Sequence, residues 1–170
     1  MNASSSKHAA AVCTLLWVVS LRALAQVPHI VMKHGDAVHH STVGTSAWHE
    51  PGDKDGGMAD DHFGVVTSST PIVVRRNDTV SFEIPEREHL EVMYFSITRV
   101  TDKDIRRHDV DKQFPDIITW TKETHPRKMT KSQRESIVLN QPPGDYILEM
   151  WGQWKDFGDA SHGFYLRVTQ

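Results

Sequence analysis

Six histidines fall between residues 29 and 62 of this 170-residue chain: His29, His34, His39, His40, His49 and His62. Asp36, Glu50, Asp53, Asp60 and Asp61 lie among them, together with Met32 and Met58. Imidazole and carboxylate oxygen are good ligands for zinc and copper(II), and a thioether would additionally hold copper(I). The segment could therefore acquire a metal ion. Its spacing follows no known ligand template, since His29, His34 and His39 recur every five residues and so keep to neither a strand face nor a helix face. A hydrophilic tail that happens to be rich in histidine is the simpler explanation.

A second group stands near the C-terminus: Trp151, Trp154, Phe157 and Tyr165, with Asp156, Asp159 and His162. Exposed aromatics beside carboxylates form platforms for a sugar ring or a protein partner, and sandwich domains carry such surfaces on inter-strand loops. The competing role for Trp151 and Phe157 is to fold back over one end of the core, and for Trp151 it is the stronger one. Trp154 lies between polar Gln153 and Lys155 and is balanced between the two roles.

Catalysis has less to draw on. Ser161 and His162 are adjacent with Asp159 close by, but neighbours on a strand point to opposite faces, so they do not make a nucleophile, base and orienter. Glu86, Glu88 and Glu91 cluster near His89 without a spacing that specifies a pair. There is no glycine-rich phosphate loop and no H-E-x-x-H zinc helix. The expectation is a protein that binds and does not catalyse.

The elements that must position these groups are strands. Gln141 to Thr169 reads as a β-hairpin with a long tip from Gly152 to His162, closed by a final strand in which Phe164, Leu166 and Val168 face one way and Tyr165, Arg167 and Thr169 the other. Short apolar runs precede it at 63–67, 71–75, 79–84, 92–100, 117–121 and 136–139, separated by turn residues. Val80, Phe82 and Ile84 alternate with polar neighbours, as on a strand with one buried face. No stretch has a convincing helical period. The pattern predicts an all-β chain, an antiparallel β-sandwich of about seven or eight strands. Residues 26–61, polar and without sustained periodicity, read as a flexible arm rich in His, Asp and Gly; the sandwich is expected over 62–170.

Residues 1–25 carry a basic Lys7, an apolar stretch from Ala9 to Leu21, and small residues at Ala23 and Ala25, the layout of a cleaved signal peptide. The apolar stretch is too short for a stable membrane anchor, which needs about 20 residues. A secreted or periplasmic product is expected. Cleavage removes Cys13, the only cysteine, so no disulfide is available. Losing Lys7 and Arg22 from the 19 basic residues leaves 17 against 22 acidic ones, a formal charge of −5 that disfavours nucleic acid as a partner.

Pro143-Gly144-Asp145-Tyr146 followed by alternating apolar residues resembles the penultimate strand of immunoglobulin-like domains. In those domains a tyrosine at the strand entry bonds back to the corner. Val73 to Phe82 likewise resembles the strand-turn-strand entry of many secreted sandwiches. The same two pieces resemble cupredoxins, in which a histidine follows the entry strand and a cysteine after P-G-x-Y carries copper. Here His89 stands in the region of the first ligand, but Met150 occupies the cysteine position. Without a thiolate a blue-copper site is not expected.

The leading expectation is thus a secreted binding module that recognises a protein or carbohydrate partner through Trp151, Trp154, Phe157, Asp159 and His162. The alternative is a copper- or zinc-binding protein using His29, His34 and His39, with His89 and His162 as further ligands.

Overall fold

The computed structural model describes residues 27–49, 58–60, 64–106 and 116–170. The expected signal peptide and His62 lie outside the described residues. Among those described there is no α-helix, and strands pair into three sheets. The first sheet contains β1 (Val31–His34), β2 (Ala37–His40), β7 (Thr79–Glu83) and β12 (Ser136–Val138), in the order β12-β7-β1-β2. The second runs β11-β8-β13-β14-β3-β4, from β11 (Arg127–Lys128) and β8 (Leu90–Arg99) through β13 (Gly144–Trp154), β14 (Gly158–Thr169), β3 (Thr42–Trp48) and β4 (Met58–Asp60). One more strand, β6 (Ile72–Arg75), adds in parallel to the end of β14. The third sheet is β5 (Val65–Ser68), β10 (Ile117–Trp120) and β9 (Ile105–Arg106).

The fold is all-β and sandwich-like, with the central second sheet packed on one face and partly covered on the other. One face packs against the first sheet through Met32, Val80, Phe82, Phe95, Leu148, Met150, Phe164 and Leu166. Part of the other face is covered by the third sheet, where Val65, Val100 and Trp120 meet Ile147 and Tyr165. Trp120 holds this smaller layer in place: its indole Nε1 donates to Thr67 Oγ1 at 2.8 Å, and its ring packs 5.1 Å from that of Tyr165. The expected alternation in the last strand is observed, but Tyr165 is buried too, because this extra layer covers it.

The close approach of the third sheet depends on Gly163. A Cβ built there would lie 2.0 Å from the backbone oxygen of Val66. Gly163→Ala is therefore expected to cost about 2 kcal/mol through overpacking and to loosen the Trp120 layer. Urea unfolding, together with the near-ultraviolet dichroism of the buried indoles, would report both effects.

The expectation of a flexible arm over 26–61 is corrected for residues 27–49. Ile30 and Met32 are fully buried, β1 pairs with β7, and β3 pairs with β14. The reason is local as well as tertiary. Gly35-Asp36 joins β1 to β2 as a two-residue turn, with Gly35 at φ 57° and His34 opposite Ala37. Glycine at the first turn position tolerates the positive φ that a tight hairpin requires. The core therefore begins well before residue 62.

The hairpin tip is also shorter than expected. β13 and β14 pair without a break from Gly144 opposite Val168 to Trp154 opposite Gly158, leaving only Lys155, Asp156 and Phe157 in the turn. At the other end of β13, the Tyr146 hydroxyl donates to the backbone oxygen of Pro142 at 2.8 Å. That is the bond back to the corner expected from the sequence.

Candidate functional site

Because β13 stays regular to Trp154, its side chains sort by parity. Leu148, Met150 and Trp154 join the core, while Glu149 and Trp151 point to the other face of the central sheet. β14 sorts in the same way. His162 lies on the core side, opposite Met150, and Ser161 lies opposite Trp151 on the outer face.

The third sheet covers only part of that outer face. Beyond it, residues 121–126 run from the end of β10 to β11, and they wall a cleft of about 580 Å³. This wall is held at three points. Thr121 N–H donates to Asp104 O at 2.8 Å, Thr124 Oγ1 donates to Glu149 Oε2 at 2.6 Å, and Arg127 and Lys128 pair with Phe95 and Tyr94. Trp151, Glu149, Ser161 and Thr45 line the cleft from the sheet, and Lys122 and Thr124 line it from the wall.

Trp151 is half-buried, with its ring 5.7 Å from that of Tyr94. Lys122 is exposed, its Nζ 3.9 Å from Asp104 Oδ1. The Asp104 carboxyl is held below its usual range by the Thr101 backbone N–H, so it stays anionic beside the lysine. Ser96, directly across from Glu149 on β8, is buried, with no hydrogen-bond partner for its hydroxyl among the described residues.

The residues expected to recognise a partner divide between the two faces. Trp151 lines the cleft, and Asp159, opposite Gln153, shares its face. Trp154 is buried instead, its Nε1 donating to Pro85 O at 2.8 Å and its ring 5.3 Å from that of Trp48. Phe157 packs against Trp48 and His89, at 5.4 and 5.2 Å between ring centroids. His162 is enclosed, its Nδ1 3.0 Å from Ser41 Oγ, and burial pushes its pKa down to about 3. Thus Trp154 and His162 are enclosed at one end of the core, and Phe157, partly buried, packs at its edge.

The five expected metal ligands do not come together as a group of three. His34 Nε2 pairs with Asp78 at 2.7 Å, and His39 sits nearby on β2, its pKa lowered chiefly by burial and then by His34. His29, exposed, contacts the backbone oxygen of Ser41. His162 is inside, near His29, and His89 lies in the turn after β7, against Phe157. Among the described residues only Glu86, Glu88 and His89 bring three donor atoms within 4.8 Å of one another, and both glutamates are exposed.

The cleft residues missed in the sequence are Glu149, Lys122, Thr124 and Thr45. A signal for the first was present, since Glu149 and Trp151 alternate with Leu148 and Met150. No family model, curated protein or solved structure matches this chain.

Proposed function

We propose that this chain is a secreted, non-enzymatic binding module that takes its ligand in the cleft beside Trp151. The observation that carries this reading is the cleft itself: about 580 Å³, within the size range of small-molecule sites, with one half-buried indole among hydroxyl, carboxylate and ammonium groups. The Tyr146 bond to Pro142 favours an immunoglobulin-like sandwich as the frame.

The cleft makes Trp151 chemically distinct. Of the tryptophans beyond residue 26, Trp48, Trp120 and Trp154 are each no more than 3% exposed. Mild oxidation with N-bromosuccinimide, followed by peptide mass mapping, is expected to modify Trp151 first. Saccharides and peptides can then be screened for protection of that residue. A bound compound that leaves Trp151 oxidation unchanged would remove the cleft as the recognition site.

Copper or zinc binding is the second reading, favoured by the Glu86, Glu88 and His89 donor set alone. It ranks lower because the glutamates are exposed, and water competes well for such groups. A zinc titration in which His89→Ala removes one equivalent would promote it.

A further inference from the structure

Resting on that reading of the cleft, we infer that its ligand is a neutral saccharide, whose apolar ring face lies on Trp151 while its hydroxyls bond to Glu149 and Lys122. A pyranose presents a face of C–H groups and a rim of hydroxyls that both donate and accept. An indole offers a flat apolar surface, a carboxylate accepts through about four lone-pair sites, and an ammonium donates three hydrogen bonds. These three partners meet in one cleft here.

The charges narrow the class. Among the described residues Glu149 and Glu123 line the cleft with a single ammonium, that of Lys122. Two carboxylates against one ammonium leave the lining net negative, which repels a phosphorylated or uronic sugar, whereas a neutral polyol meets no such cost. A peptide is disfavoured on other grounds. Recognition of an extended peptide uses a free strand edge or successive apolar pockets, whereas among the described residues Val65 is the only aliphatic hydrophobe lining this cleft beside Trp151.

Glu149 is prepared for the role. The Thr124 bond fixes Oε2 from the wall side, and a carboxylate has acceptor sites beyond the one that bond takes. Thr124 is thus a positioning residue, setting the carboxylate that would touch the sugar.

The test is calorimetric titration of the full chain with neutral mono- and disaccharides of glucose, galactose, mannose and N-acetylglucosamine. Glucuronate, glucose 6-phosphate and a mixed peptide pool serve as the other arms. At least one neutral saccharide is expected to bind, with Trp151→Ala weakening it about thirtyfold, the loss typical of a central aromatic anchor. Glu149→Gln should weaken it about tenfold, as for loss of a charge-assisted hydrogen bond. Trp151→Phe, which keeps a ring against Tyr94, should retain part of the affinity and guards against a folding defect.

An acidic sugar or a peptide that binds in a Trp151-dependent manner would overturn the saccharide class and leave the cleft standing. Neutral saccharide binding indifferent to Trp151→Ala and Glu149→Gln would overturn the cleft as well. Binding of none of the neutral sugars overturns the inference.

Discussion

Replacing Trp154 with alanine is expected to destabilise the protein by about 4 kcal/mol, the middle of the range for removing a buried large aromatic. The indole is 2% exposed, stacks edge-on against Trp48, lies 6.1 Å from the His162 ring and bonds to Pro85 O. Truncation opens a cavity between the hairpin end and the turn after β7, and leaves the Pro85 carbonyl without this donor. Trp154→Phe should cost less, about 1–2 kcal/mol, since it forfeits mainly the hydrogen bond and part of the ring. Equilibrium urea unfolding of both variants checks this. A cost below about 1 kcal/mol for the alanine variant would mean that Trp154 is a surface residue, the role that the sequence weighs evenly against burial.

Stability is also expected to fall steeply as the solution is made mildly acidic, because of His162. Its folded pKa, about 3, lies below the unfolded value of 6.5. Above pH 6.5 the imidazole is neutral in both states and the shift has no effect. Below it the unfolded chain takes up a proton that the folded chain refuses, so stability drops by about 1.4 kcal/mol per pH unit until the folded pKa is reached.

The environment explains the refusal. His162 sits on β14 between β13 and β3, paired with Met150 and Val43, and its buried ring bonds to the Ser41 hydroxyl and lies beside Trp154, with exposed His29 as the nearby titrating group. Its Nε2 has no partner among the described residues, so no acceptor would offset a charge there. Urea unfolding at pH 7, 6 and 5 should show the slope, and His162→Gln should reduce it, leaving the part that His39 contributes. Asp78, Asp104 and Asp145 are held below their usual range by hydrogen bonds, first from the Arg75 backbone, the Thr101 backbone and the Arg167 side chain respectively. Their contribution is present above the ordinary aspartate range and fades only further into acid; His39, whose pKa burial also lowers, adds to the loss below pH 6.5, and the difference between the protein and His162→Gln separates the two histidines. An unchanged slope in His162→Gln would contradict this account.

The strands of 65–169 were largely legible in the sequence because they alternate over several residues or stand between strong turn signals. β7 and β14 are the clearest cases, and each apolar run coincides with an observed strand. The strands of 31–48 were not, because their polar residues mask the period: β2 reads AVHH and is mostly exposed. Gly35-Asp36 was the one local signal for that hairpin, and burial of Ile30 and Met32 depends on β7, distant in sequence.

The candidate site divided along the same line. The aromatic hairpin was recognised as chemically notable, but its long tip hid the parity: once β13 continues to Trp154, that residue must turn inward and Trp151 outward. The wall residues Lys122 and Thr124 come from a segment without periodicity, and tertiary contacts alone, to Asp104, Glu149 and β8, bring them over the central sheet.

The most direct test of the cleft is the set of indole N–H resonances of the ¹⁵N-labelled protein, followed as neutral disaccharides of galactose and N-acetylglucosamine are added. The account predicts that the Trp151 resonance, assigned by its absence from Trp151→Phe, shifts saturably while those of Trp48, Trp120 and Trp154 stay in place. Shifts confined to the other indoles, or none at any disaccharide concentration, would contradict it.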